Sequence, residues 1–272
     1  MCGFCGIFDR SGDPIDKVTL ERMTTVLKHR GPDGDGHFWD REIALGHRRL
    51  SIIDVEGGAQ PIHNEDRSIW TVFNGEIFNY VELRAALETQ GHRFYTSSDT
   101  EVIVHLYEQY GDDFVHQLNG QFAIAVWDKN RRRLLLVRDR PGILPLFFTH
   151  ADGQLAFASE IKALLAISAT APTLNRRALD QIMTFWAPVS PETMFEGVQE
   201  VRPGEMLSVE DGEIRRWRYW DWTFPAPGEH RTGSDEELTE ELHSLLIDAT
   251  RIRLRADVPV GAYLSGGLDS SG

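Results

Sequence analysis

The chain has 272 residues, of which 41% are hydrophobic and 26% charged, a composition typical of a soluble globular protein rather than a disordered one. Its formal net charge of −14 gives a surface that repels phosphate backbones, which argues against a nucleic-acid partner. No apolar run is long enough to span a bilayer and two cysteines are too few for a disulfide framework, so we expect no membrane partner and a reducing cytoplasmic location.

The first 222 residues alternate short strands and helices. Up to residue 110, apolar periodicity predicts strand Phe4–Asp9, helix Leu20–Lys28, an irregular loop His29–Gly36, strands Ile43–His47, Ile52–Ile53 and Ile69–Phe73, and helices Val81–Gln90 and Thr100–Tyr110. Beyond it, the pattern predicts strands Phe122–Asp128, Leu134–Arg138, Leu146–Thr149 and Leu155–Ala158, helices Glu160–Leu165 and Leu174–Phe185, and strands Met206–Val209 and Trp217–Trp222.

Two turns are predicted between these strands. The basic run Arg131–Arg133 lies between two strands and is interpreted as a solvated hairpin turn, because one short cluster makes too few contacts to bind phosphate backbones. The Asp-Gly pair at 211–212 is typical of a tight hairpin turn.

The composition changes at Pro225–Glu237, which is rich in Pro, Gly and charge and is interpreted as a linker. An amphipathic helix is predicted over Leu238–Arg255, capped by Ser234 with Glu237 three residues later. A short apolar strand, Val258–Leu264, and the sequence SGGLDSSG follow. These last ~40 residues cannot bury an apolar face of their own, so we interpret them as the start of a truncated second domain.

Both cysteines, Cys2 and Cys5, lie in the opening MCGFCGIFD. One interpretation is a C-x-x-C dithiol, although such pairs normally follow a strand and begin a helix. The other depends on the position of Cys2 next to the initiator Met1. Once Met1 is removed, Cys2 carries both a thiol and a free α-amine, and an amine that titrates near ~8 can act as the general base for that thiol.

Several motifs favour the second interpretation. The series MCG-x-x-GIFD, HRGPDGDG, GHRRLSIID, GAQPI, FNGEIFNY, SSDTEVI and RDRPGILPLFF resembles the glutaminase domain of class II glutamine amidotransferases. The closing LSGGLDSS resembles the pyrophosphate loop of ATP pyrophosphatases, and the two together resemble the glutamine-hydrolysing asparagine synthetase family. The resemblance implies an α+β fold, the N-terminal-nucleophile αββα sandwich, over residues 2–222. A linker at 223–234 and the start of an α/β ATP-pyrophosphatase domain at 235–272 would follow.

The resemblance also implies a role for each matched residue of the first domain. Cys2 would attack the side-chain amide of glutamine, while the Asn74 amide and the Gly75 N–H stabilise the oxyanion. Arg49 would bind the α-carboxylate, and Glu76 and Asp99 the α-ammonium. The backbone of Leu50, Ser51, Ile52 and Ile53 would complete the pocket, and the loop Arg30–Gly36 would close over it.

Simpler interpretations of some of these residues stay open. An isolated Asn-Gly pair such as Asn74-Gly75 most often forms a hairpin turn. Asp99 would also serve as a helix N-cap before Thr100.

The final loop is the candidate nucleotide site, although a Ser/Gly run is also typical of a linker. An apolar strand leads into it, so its successive N–H groups could form an anion nest around the pyrophosphate of ATP. The candidate ATP ligands are Leu264, Ser265, Gly266, Gly267, Asp269, Ser270 and Ser271. Asp269 is the candidate Mg²⁺ ligand, since a carboxylate oxygen suits that ion. No His pair or Cys/His cluster has the spacing of a zinc site, so the sequence predicts none.

The resemblance implies an ATP-dependent carbon–nitrogen ligase in which ammonia from glutamine amidates an adenylated carboxylate, with aspartate as the expected acceptor. The glutaminase step would need no cofactor, and a homodimer is compatible with the family. Three alternatives remain open: another acceptor, such as a peptide, a sugar acid or an antibiotic precursor; a non-catalytic glutamine-binding fragment; and a dithiol oxidoreductase.

Overall fold

A computed structural model of the chain describes residues 1–10, 14–151, 153–167 and 171–271, apart from the side chains of residues 269 and 271. The strands are β1 Gly3–Asp9, β2 Gly34–Trp39, β3 Ile43–Arg49, β4 Ile62–His63, β5 Ile69–Ile77, β6 Gly120–Asp128, β7 Arg133–Arg138, β8 Phe147–Ala151, β9 Gln154–Ala158, β10 Val198–Glu200, β11 Glu205–Glu210 and β12 Glu213–Arg218. The α-helices are α1 Lys17–Thr25, α2 Tyr80–Thr89, α3 Glu101–Tyr110, α4 Phe114–Gln117, α5 Ile161–Leu165, α6 Arg176–Phe185, α7 Asp235–Ile252 and α8 Leu268–Ser271.

The strands form two antiparallel sheets. The first has the order β10-β8-β9-β1-β3-β2 and the second β12-β11-β7-β6-β5-β4. β1 pairs with β3 from Gly3 opposite Arg48 to Phe8 opposite Ile43. β5 pairs with β6 along its whole length, from Ile69 opposite Asp128 onward. The register therefore pairs the start of β1 with the end of β3, and the end of β5 with the start of β6.

Three apolar clusters lie between the layers of the fold. Phe4 of the first sheet and Trp127 of the second belong to one cluster, which fills the space between the sheets. A second cluster joins the second sheet to α3 through side chains such as Phe73 and Val102. A third joins β1 to α1 through Ile7 and Leu20. The layers are thus helix, sheet, sheet and helix, which confirms the predicted αββα fold.

Three predicted elements were wrong at specific places. Ile52–Ile53 is not a strand, because the backbone carbonyls from Ile53 onward instead accept hydrogen bonds from the Arg49 guanidinium. Residues 34–36, predicted as loop, open β2, whose partner β3 supplies the backbone hydrogen bonds that the loop sequence alone does not suggest. The last predicted strand, Trp217–Trp222, is displaced along the chain: β12 begins at Glu213, directly after the turn at 211–212, and stops at Arg218, opposite the first residue of its partner β11.

The basic run is confirmed as an exposed hairpin turn at Arg131 and Arg132 but not at Arg133. Arg131 and Arg132 lie in the turn region and pair with Glu210 and Glu42, but Arg133 is buried and forms an ion pair with Asp112. The turn at 211–212 is confirmed: both residues have positive φ, 46° and 84°, as a two-residue hairpin turn that matches the twist of its strands requires.

The C-terminal segment, residues 235–271, has a different character. α7 begins with the predicted capping box, in which the Ser234 hydroxyl accepts from the Glu237 N–H and the Glu237 carboxylate accepts from the Ser234 N–H. Its apolar side chains Leu242, Leu245 and Leu246 are 57%, 59% and 58% exposed. The predicted strand Val258–Leu264 is absent from this described segment, since an isolated strand has no neighbour to satisfy its backbone groups.

Within the described ranges, no helix combines the length and apolarity needed to cross a membrane.

Candidate active site

Cys2 lies directly before β1, and its thiol packs against the backbone of Leu50, which follows β3. The Leu50 N–H donates to Sγ at 3.4 Å, and Sγ lies 3.6 Å from the Leu50 carbonyl. Burial raises the pKa of the Cys2 thiol, although the Leu50 N–H and the nearby N-terminal amine act in the opposite direction. The thiol is therefore protonated at rest, and it needs a base at the moment of attack.

The backbone of Cys2 is fixed by two side chains, one from the segment between α1 and β2 and one from β5. Its carbonyl accepts from Arg30 Nε at 2.8 Å and from the Asn74 amide nitrogen at 2.8 Å. With its amide nitrogen directed at the Cys2 carbonyl in this way, Asn74 accepts a hydrogen bond from Arg30 Nη2 at its amide oxygen, at 3.3 Å. Arg30 is anchored in turn by Glu160 at 3.0 Å. Arg30 is thus a positioning residue. The motif HRGPDGDG predicts only a loop that closes over the pocket, and not this role of Arg30.

Asn74 and Gly75 are not a hairpin turn; they lie within β5, opposite Ala123 and Phe122 of β6. The Asn74 side chain is fully buried. Gly75 has φ +153°, and a Cβ there would lie 2.1 Å from the Gln121 carbonyl oxygen, so only glycine fits. The close approach of β5 to β6 therefore requires glycine at this position.

Two carboxylates lie at the other side of the same pocket. Asp99 is buried, and its Oδ2 accepts from the Ile77 N–H at 3.0 Å. Burial raises the pKa of Asp99 to about 6. Burial, and then the negative charge of Asp99, raises the pKa of Glu76 to about 7. No ion pair involves either carboxylate within the described residues, so the pair is arranged to accept a cation.

Arg49, at the end of β3, brings a positive charge to this pocket. Its Nη1 donates to the Val55 carbonyl at 3.0 Å, and its Nη2 donates to the carbonyls of Ile53, at 3.2 Å, and Asp54. Asp54 adopts a positive φ of 51° in this turn. These bonds use three of the five guanidinium N–H groups, which leaves two for a ligand.

These groups surround one cavity of about 100 Å³. Eight of the nine residues predicted to hold glutamine line it together with Cys2: Arg49, Leu50, Ile52, Ile53, Asn74, Gly75, Glu76 and Asp99. Ser51 does not line it, because its N–H is turned toward the Asp33 carboxylate at 2.8 Å.

Gln60 also lines the cavity and was not predicted to. Its amide oxygen accepts from the Phe73 N–H at 2.7 Å, and its amide nitrogen donates to the Thr100 hydroxyl at 3.2 Å. Gln60 therefore ties β5 to the start of α3, between the nucleophile and the carboxylates. The motif GAQPI contains this glutamine, but the sequence does not show which groups its amide binds, because both partners are distant along the chain.

The C-terminal segment contacts the wall of this cavity. The Asp257 carboxylate accepts from the Asp54 N–H at 2.6 Å, and the Asp257 N–H donates to the Ile52 carbonyl at 2.9 Å. Arg255 binds the Glu82 carboxylate with both Nη atoms, at 2.6 and 2.5 Å. The turn that carries the Asp257 contacts is also the one that holds the Arg49 guanidinium, whereas Glu82 lies on α2.

The predicted ATP loop has no such wall around it. Leu264 is exposed, Gly266 has φ +77°, and the Ser265 and Ser270 hydroxyls lie 2.8 Å apart. Hydroxyls and backbone N–H groups are donors that suit a phosphate. The side chains of Asp269 and Ser271 lie outside the described residues.

Residues 1–220 match the family profile described as "Glutamine amidotransferase domain". The chain belongs to this family. Residues 241–272 match the profile described as "Asparagine synthase".

Individual relatives agree with this. The chain is 41% identical to asparagine synthetase [glutamine-hydrolyzing] 1 of Bacillus subtilis over its whole length, which is 43% of that protein. It is also 41% identical to the amidase chry2 of Gibberella zeae, over its whole length and 42% of that protein. The solved glutamine phosphoribosylpyrophosphate amidotransferase of B. subtilis shares the fold, with a TM-score of 0.59 at 22% identity over 80% of this chain and 49% of that one. The chain spans less than half the length of these curated relatives.

Proposed function

We propose that this amidotransferase unit hydrolyses glutamine with Cys2 as the nucleophile. One observation supports it most: a single cavity is lined by a thiol, a pair of carboxylates and an arginine. A free amino acid with an amide side chain fits this set of groups, because its α-ammonium, α-carboxylate and amide each have a complementary partner among them.

The binding step assigns each charged group. The two unused N–H groups of Arg49 would bind the α-carboxylate, while Asp99 and Glu76 would bind the α-ammonium. Bound ammonium would lower the raised pKa of both carboxyls, because a nearby positive charge favours their ionised forms.

In the chemical step, the Cys2 α-amine, freed by removal of Met1, would take the thiol proton as sulfur attacks the amide carbon. The Asn74 amide nitrogen carries two hydrogens, of which one binds the Cys2 carbonyl, so the second and the Gly75 N–H are proposed donors to the oxyanion. The proton would then pass to the amide nitrogen, ammonia would leave, and water would hydrolyse the Cys2 thioester to glutamate.

We propose further that the whole protein is an ATP-dependent ligase of the asparagine-synthetase type, as the profile at 241–272 and the B. subtilis relative suggest. ATP would adenylate a carboxylate, aspartate first among the candidates, with release of pyrophosphate, and ammonia would then displace AMP. Ser265, Gly266, Gly267, Ser270 and Ser271 would hold the phosphates, Leu264 the nucleotide, and Asp269 would supply the ligand for Mg²⁺. Domains at 2–222 and 235–272 with a linker at 223–234, a homodimer and a cytoplasmic location are parts of the same proposal.

A second candidate, supported by the amidase relative at the same 41% identity, keeps the glutaminase and changes the acceptor carboxylate. A full-length version offered aspartate alone, and then other carboxylates, would separate the two.

The direct test measures glutamate and ammonia release by the 272-residue chain, with intact mass spectrometry on the same sample. We expect turnover in material that has lost Met1. Tight glutamine binding without turnover in such material would instead favour a non-catalytic glutamine-binding module.

A further inference from the structure

A second cluster of chemistry-bearing side chains lies apart from the glutamine cavity. Glu65 precedes β5, His92 follows α2, and His105 and Glu108 occupy neighbouring turns on one face of α3. One ligand atom from each residue lies within 4.8 Å of those of the other three. No sequence motif reveals the set, because three separate segments contribute to it.

The spacing of these atoms is close to that of metal ligands. His105 Nδ1 lies 3.4 Å from Glu65 Oε2, and His92 Nδ1 lies 3.7 Å from both Glu65 Oε1 and Glu108 Oε2. A tetrahedral ion bound at about 2.0–2.1 Å holds its ligand atoms roughly 3.3 Å apart. A small contraction around an ion would therefore complete the site.

The buried His105 ring gives an independent indication. The ring is fully buried, and its Nδ1, which faces Glu65, has no hydrogen-bond partner. A buried nitrogen of this kind normally has a partner, and an ion between the four side chains would supply one.

The Nε2 atom of each ring, on the side away from the cluster, also faces an acceptor. His105 Nε2 lies 3.4 Å from Glu101 Oε1, and that carboxylate also accepts from the Tyr95 and Thr96 N–H groups. His92 Nε2 lies 3.4 Å from the Gln109 amide oxygen. With the proton of each ring on Nε2, each Nδ1 would direct a lone pair at an ion between the four side chains. This is the arrangement found around metal-binding histidines.

The charges agree with a divalent ion. Two neutral imidazoles and two carboxylates carry a total of −2, which one divalent cation neutralises.

We propose that Glu65, His92, His105 and Glu108 form a closed structural site for a divalent transition metal, with zinc the best match to two imidazoles and two carboxylates. The ion ties α3 to the segments before β5 and after α2. Because α3 begins two residues after Asp99, the ion also braces the carboxylate side of the cavity.

The test measures Zn²⁺ bound to tag-free chain by elemental analysis after stripping with a chelator, reloading and gel filtration. A Cys2→Ser background removes the reactive thiol as a competing ligand. The result expected is one zinc per chain and a melting temperature that rises by several degrees on loading.

Three variants make the test specific. His92→Ala removes a partly exposed ligand and should abolish retention of the ion, while Gln109→Ala removes an outer partner and should weaken binding about tenfold. His150→Ala changes an exposed histidine of β8 outside the cluster and should retain one zinc per chain.

Absence of stoichiometric zinc in the reloaded parent chain would overturn the proposal. Equal retention by the folded His92→Ala variant would also overturn it, because the ion would then be bound elsewhere. Far-ultraviolet circular dichroism of each variant establishes that it is folded.

Discussion

The amidotransferase unit and the C-terminal segment present similar apolar patterns in sequence but very different structures. Up to β12 the apolar side chains fill three clusters, and every predicted glutamine ligand except Ser51 lines one cavity. In the C-terminal segment, none of the α7 residues is buried and the strand Val258–Leu264 is absent from the described residues. A periodic sequence thus specifies a site only where neighbouring layers bury it.

The largest effect expected within this contrast comes from the nucleophile. Cys2→Ser should lower glutaminase turnover by about three orders of magnitude or more, because the thiol forms the bond to carbon. Release of glutamate measures it. Cys5→Ala is the matched control: Cys5 is buried beside Thr24, burial raises the pKa of its thiol to about 12, and turnover should persist.

In a full-length version, Cys2→Ser should leave ammonia-dependent synthesis intact. Loss of both activities would contradict the division of labour between the two regions.

Arg49→Ala should reduce kcat/KM about 100-fold, mostly through a higher KM, since it removes charge-assisted hydrogen bonds that hold substrate and transition state alike. Steady-state kinetics against glutamine measure the effect. Arg41→Ala, an exposed arginine between β2 and β3, serves as control. A large fall in kcat at unchanged KM would show that Arg49 is not the carboxylate clamp.

The carboxylate pair should make glutamine binding pH-dependent. With pKa values raised to about 6 for Asp99 and about 7 for Glu76, both carboxyls protonate as the pH falls from about 8 to 5, and KM should rise roughly tenfold or more. Steady-state kinetics across this range measure the rise. Glu76→Gln should remove the part of it near pH 7, and an identical profile in this variant would exclude Glu76 from the site.

The free energy of unfolding without glutamine depends on pH in the opposite direction to glutamine binding. A raised folded-state pKa adds to the free energy of unfolding below about pH 4 and loses that contribution as the pH rises through about 6 to 7. Because glutamine binds more tightly to the ionised carboxylates, it should raise the melting temperature more at pH 8 than at pH 5.

The smallest effect should come from the contact between the two regions. Asp257→Ala removes the acceptor for the Asp54 N–H and should raise KM a few-fold, because the turn that holds Arg49 loses a brace. Glutamine kinetics measure it, and Glu240→Ala, on exposed α7, is the control. An unchanged KM would mean that the glutamine cavity is independent of the C-terminal segment.

Sequence patterns predicted most of the αββα elements because strands buried between layers carry strong apolar periodicity. They wrongly predicted a strand at Ile52–Ile53 and missed β2, because in both places the backbone is bound by a side chain or by a neighbouring strand rather than by local preference. The hairpin at 211–212 was predictable since positive φ at both central residues favours Asp-Gly.

The motifs predicted the charged groups of the cavity but not what supports them. Arg30 and Gln60 act through partners that are distant in sequence, namely Cys2 and Glu160 for the first and Phe73 and Thr100 for the second. Contacts of this kind carry no local pattern, and the cluster around His105 was missed for the same reason.

The most direct test of Cys2 as the nucleophile is intact-mass spectrometry of the chain treated with an electrophilic glutamine analogue. We predict a chain without Met1 that carries one label on Cys2, and protection of that cysteine by excess glutamine. A label on Cys5, or glutaminase turnover by a chain that retains Met1, would contradict the mechanism.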